Sequence, residues 1–74
     1  MHSATMFLIA ALDAAGLKGF TPDTDNDPDH GRLSLIDAQG RKIQYGNKMS
    51  GWHCTGYTDG IDSSLLPMPF KSAK

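Results

Sequence analysis

The sequence predicts a small α+β fold, one N-terminal helix packed on a three-stranded antiparallel β-meander. Three observations carry that prediction. A run rich in Ala and Leu, Ala4 to Ala15, stands between Ser3 and Gly16. After Arg32 the apolar period shortens to two residues, the spacing of a strand with one buried face. All eight acids are Asp and none is Glu. Asp bonds to nearby backbone in caps and turns and is a poor helix-interior residue, so the sequence predicts little further helix.

The helix is expected over about residues 4–15. Ser3 is the natural N-cap, Gly16 or Gly19 the terminator, and Lys18 follows where a cation suits the negative end of the helix. On a helical wheel Leu8, Ile9 and Leu12 form one apolar stripe. Met6, Phe7, Ala10, Ala14 and Leu17 fall on a second arc, with Asp13 between the two. Two stripes call for two covers, and a chain this short supplies the second only from its C-terminal tail or from another molecule.

Residues 20–31 read as an acidic loop, because Pro22 and Pro28 flank the turn-forming run Asp23-Thr24-Asp25-Asn26-Asp27. Residues 32–46 read as a β-hairpin. Its turn, Asp37-Ala38-Gln39-Gly40, has the type I pattern closed by a glycine. Leu33 and Leu35 face one side and Ile36 the other; Ile43 and Tyr45 alternate with Lys42 and Gln44. A third strand is expected over about residues 52–57, with Trp52 and Cys54 on one face and His53, Thr55 and Tyr57 on the other. Residues 58–74 form an irregular tail, broken by Pro67 and Pro69, in which Ser63 or Ser64 caps a single turn at Leu65 and Leu66. The 74 residues make one domain.

Formal net charge is −1 but unevenly placed, with −4 up to Asp29 and +3 beyond it. That is too little positive charge to predict direct nucleic-acid binding, and Arg41, Lys42 and Lys48 are ordinary for exposed strand edges. A membrane span needs about 20 apolar residues, and no such run exists. The apolar stretch Met6–Leu12 is short, has no preceding Lys or Arg and ends at Asp13, which argues against a secretory signal. Cys54 is the sole cysteine, so no internal disulfide forms, and the expected location is a reducing, cytoplasmic one.

No motif names a function. His53 and Cys54 are adjacent, but neighbours on a strand point to opposite faces and do not share a proton. His2, His30, His53 and Cys54 lack the paired spacing of a zinc site. Asp23, Asp25, Asp27 and Asp29 occupy the odd positions of a calcium loop, with Pro28 where the sharp turn needs glycine and Ser34 where the bidentate acid should stand. The expectation is therefore a protein without catalytic activity or cofactor that binds another protein. Asp23, Asp25, Asp27 and Asp29 would meet a basic surface, and Met6, Phe7, Tyr45 and Tyr57 would supply apolar and aromatic contacts. Short chains without reactive groups suit phage or mobile-element accessory proteins that inhibit host nucleic-acid-binding complexes, such as CRISPR effectors. The alternatives are a calcium-stabilised domain holding the ion on the same four aspartates, and a homodimeric adaptor.

Overall fold

A computed structural model describes residues 1–71. Helix α1 (Ser3–Ala14) leads through the two-residue strand β1 (Thr21–Pro22) and a single 3-10 turn (Pro28–His30) into β2 (Arg32–Ile36), β3 (Lys42–Lys48) and β4 (Gly51–Tyr57). The sheet is an antiparallel meander in the order β1-β2-β3-β4. It has four strands where three were expected. The extra strand lies inside the acidic loop, where Thr21 and Pro22 pair with Ile36 and Leu35. Two residues, one of them proline, carry no strand periodicity, and an edge strand tolerates the missing N–H.

The helix starts differently from expectation. His2, not Ser3, is the N-cap, and its Nδ1 accepts from the Ala4 amide at 3.0 Å. The C-terminal end follows the sequence. Gly16 takes φ +94°, a left-handed conformation that a side chain resists. The Gly16 amide donates to Asp13 and the Leu17 amide to Leu12, a Schellman ending. That turn carries Leu17 off the helix and into the core, so it does not belong to the second apolar arc.

One face of α1 packs on the sheet through Ala4, Thr5, Leu8 and Leu12. Leu33 and Leu35 of β2, Ile43 and Tyr45 of β3 and Trp52 of β4 complete the wall, as the alternation foretold. The tail is irregular but does not hang free: Ile61, Leu66 and Phe70 are all buried in the same cluster. Asp62 caps its 3-10 turn (Ser63–Leu65), where Ser63 or Ser64 was expected. Phe70 then pairs with Trp52 through two backbone hydrogen bonds of 2.7 and 3.1 Å. Gly51 permits this clasp, for a Cβ there would stand 2.5 Å from the Phe70 carbonyl oxygen, and its φ is +121°. Residues 72–74 of the expected tail lie outside the described residues.

The expected 37–40 turn forms, with the Gly40 amide donating to the Asp37 carbonyl. Asp37 ties it by accepting from the Gln39 and Arg41 amides and from Arg41 Nε at 2.7 Å. On the other side of β3 the period-two reading of β4 fails. Gln44 pairs with Gly56 and Tyr45 with Cys54, so Thr55 is a β-bulge. The bulge places Tyr57 opposite Ile43, on the helix-facing side of the sheet, because cross-strand partners share a face. Among the described residues no helix is long and apolar enough to cross a membrane.

Candidate functional site

The acidic loop is laid along the edge of β2. Asp23 donates its amide to the Ser34 carbonyl, the Asn26 side chain accepts from the Ser34 amide, and Asp27 and Arg32 exchange both backbone bonds. Asn26 also donates to the buried Thr5 hydroxyl, which ties the loop to α1. Pinned in this way, the carboxylates find partners inside the chain. Lys42 Nζ lies 3.0 Å from Asp23 and 4.0 Å from Asp25. Gln44 donates to Asp25, Asp27 pairs with His30 at 3.0 Å, and His2 Nε2 stands 3.6 Å from Asp29.

These pairings move the titrations. The Lys42 ammonium, with the Thr24 amide, holds the Asp23 carboxyl below its ordinary range, and Asp23 in turn raises Lys42. The neighbouring Ser34 hydroxyl lowers Asp25, although no bond of full geometry reaches the buried Asp25 Oδ1. Asp27 raises His30. Each of the four aspartates therefore has a partner inside the chain, while Asp25, Asp27 and Asp29 remain 40%, 41% and 83% exposed, against 16% for Asp23. They do not surround a common point: among the described residues no three His, Cys, Asp or Glu side chains stand close enough to hold a metal ion.

Of the four apolar or aromatic contacts expected, three reach the surface. Met6, Phe7 and Tyr57 are 56%, 40% and 44% exposed. Tyr45 is wholly buried, a correction to the expected contact: its hydroxyl donates to the Pro67 carbonyl at 2.6 Å. A tyrosine's polar tip needs a partner, and here the tail supplies it in place of water. Phe7 stacks on Phe70 with ring centroids 5.2 Å apart, so the tail covers part of the second apolar arc. The rest of that arc, Met6, Ala10 and Ala14, faces outward. Within α1 the one charged residue is Asp13, close to its C-terminal end.

Among the described residues, reactive groups do not assemble into a centre. Cys54 sits beside the core with its thiol raised by burial and directed to the Gly56 carbonyl. His53 points elsewhere, its Nε2 2.8 Å from the Ser50 hydroxyl. That Ser–His contact has no carboxylate bonded to the other ring nitrogen among the described residues. A depression of ≈ 230 Å³ on the sheet, lined by Lys42, Gln44, Gly56, Tyr57 and Thr58, is shallow, and its lysine is already held by Asp23. No family model, curated protein or solved structure matches this chain.

Proposed function

We propose that this chain is a non-catalytic protein-binding module that acts by covering a surface of another protein molecule. One observation carries the reading. The outward face of α1 presents Met6 and Phe7, and no charged residue precedes Asp13 in the helix. A solvent-facing helix surface is ordinarily charged or polar, and an apolar one gains free energy when something covers it. The Ser50–His53 contact, which no carboxylate joins among the described residues, and the Cys54 thiol, directed to the Gly56 carbonyl, give chemistry no comparable foothold. A finer form of the proposal is an accessory protein, of phage or mobile-element type, that inhibits a host nucleic-acid-binding complex. In that form Asp27 and Asp29, at the outer end of the loop, would meet the basic groove.

The test is capture by the tagged full chain, with Met6→Asp as the comparison. Met6 is exposed, so the charge disturbs the contact face and leaves the core intact. Capture of a defined protein by the wild type and its loss with Met6→Asp is the expected result. Identical capture by the wild type and by Met6→Asp, or capture of nothing by either, overturns the proposal.

A further inference from the structure

Among the described residues every Lys and Arg but two is held by an oxygen of the fold. Lys18 contacts Asp13, Arg41 contacts Asp37, Lys42 contacts Asp23, and Arg32 Nε donates to the Asp25 carbonyl. Lys48 and Lys71 have no such partner there. Both line one depression of ≈ 220 Å³ at the tip of the β3–β4 hairpin.

The fold sets these two lysines on either side of a glycine. Lys48 is the cross-strand partner of Gly51. The Phe70–Trp52 clasp then lays the tail along the other side of Gly51, so that Lys71 Cγ stands 3.2 Å from where a Gly51 Cβ would be. Gly51 has no side chain, and a gap is left between the two cations. Among the described residues no acid lines that gap. Like charges beside one gap repel, and an anion seated between them replaces the repulsion with two attractions.

Trp52 belongs to the same wall and is only 5% exposed. Its indole N–H has no acceptor among the described residues. It is not enclosed either, for the one enclosed side-chain N or O atom without a partner there is Asp25 Oδ1. The wall therefore carries an open donor as well as two unpaired cations.

These groups select a ligand. A planar carboxylate is matched by the fork of an arginine, which the depression lacks, whereas an ammonium is a compact point charge that suits a phosphate oxygen. Two ammonium groups are balanced by two negative charges on one small ion. We infer that the Lys48–Gly51–Lys71 depression binds a phosphate-class dianion, as the free ion or as a phosphomonoester. The site is separate from the α1 face, and its contacts are open to water, so binding is in the millimolar range.

The test is an NMR titration of the isotope-labelled full chain at constant ionic strength, read at the indole N–H of Trp52, the one Trp of the sequence. Inorganic phosphate and glycerol phosphate are the probes, and chloride is the reference. The expected result is a saturable shift with half-saturation at about 1–10 mM. Lys48→Gln and Lys71→Gln should each weaken it at least about fivefold, and Lys18→Gln should leave it unchanged. Lys48 and Lys71 are exposed, so the variants keep the dispersed spectrum of the fold. Tighter binding of glycerol phosphate than of inorganic phosphate assigns the site to a phosphomonoester; equal or weaker binding assigns it to the free ion. A shift that does not saturate, that chloride reproduces, or that both substitutions leave unchanged overturns the inference.

Discussion

Two pairs show how a polar contact fixes what surrounds it. Tyr45 spans from β3 to the tail, and its hydroxyl satisfies a carbonyl of a proline-rich stretch poor in donors of its own. Tyr45→Phe removes the donor and leaves the half-buried Pro67 carbonyl without its partner, a loss of about 1 kcal/mol. A lower urea midpoint with an unchanged slope is the expected outcome. Asp23 and Lys42 are legible as a second such pair through their titration. Because Asp23 and Asp25 are held below the ordinary aspartate range, their contribution is complete above the unfolded-chain value near 3.8. It is lost as the pH falls through the depressed folded values. The melting temperature is therefore expected to drop between pH 5 and pH 2, and Lys42→Ala should make that drop shallower. His30 has the opposite sign. Its raised folded value makes the Asp27 contact fully stabilising below about pH 6.5 and lost as the pH rises through that raised value.

At the scale of elements, sequence reasoning succeeded where one period governs a whole segment. The helix, the 32–46 hairpin and the inward set Leu33, Leu35, Ile43 and Trp52 follow from spacing and turn chemistry alone. It failed where a single residue breaks the period or where distant chain completes an element. Thr55 reverses the facing of Tyr57 by bulging, and nothing in Trp52–Tyr57 marks it as the extra residue. The strand β1 exists because Ile36 and Leu35 lie beside it, not because Thr21 and Pro22 favour extension. His2 took the cap from Ser3, a better capping type by propensity, and its second ring nitrogen faces Asp29 from a loop 27 residues away. The same loop looked like four free carboxylates, because neither Lys42 nor Gln44 is near it in sequence. Gly51 is the element-level prediction. Gly51→Ala forces a Cβ onto the Phe70 carbonyl and a side chain into positive φ, with the strain alone about 1–3 kcal/mol. The expected readout is a red shift of Trp52 emission as the clasp opens.

For the molecule as a whole, the tail decides whether the fold closes. Phe70 meets Phe7 from the helix, Tyr45 from β3 and Trp52 from β4, with ring centroids 5.2, 5.4 and 6.5 Å away. One side chain therefore joins the layers. Deleting a buried phenylalanine costs about 3–5 kcal/mol, and a domain this short holds a total of about that size. Phe70→Ala is expected to be unfolded at room temperature, seen as collapsed dispersion in a proton NMR spectrum. That coverage is also why the exposed apolar area of the helix is small. The tail takes one flank of the second arc, and Met6, Ala10 and Ala14 are what it leaves exposed.

At one border of the sheet the chain carries Pro22 within β1, and at the other β4 is covered at Trp52 by the Phe70 bridge, with Pro69 beside it. A border of two residues, one of them without an amide donor, makes a poor template, so another molecule gains little by zipping onto β1. Growth into cross-β fibrils is discouraged at the β1 border and at the Trp52 end of β4, which leaves residues 53–57 as the stretch where strand addition would start.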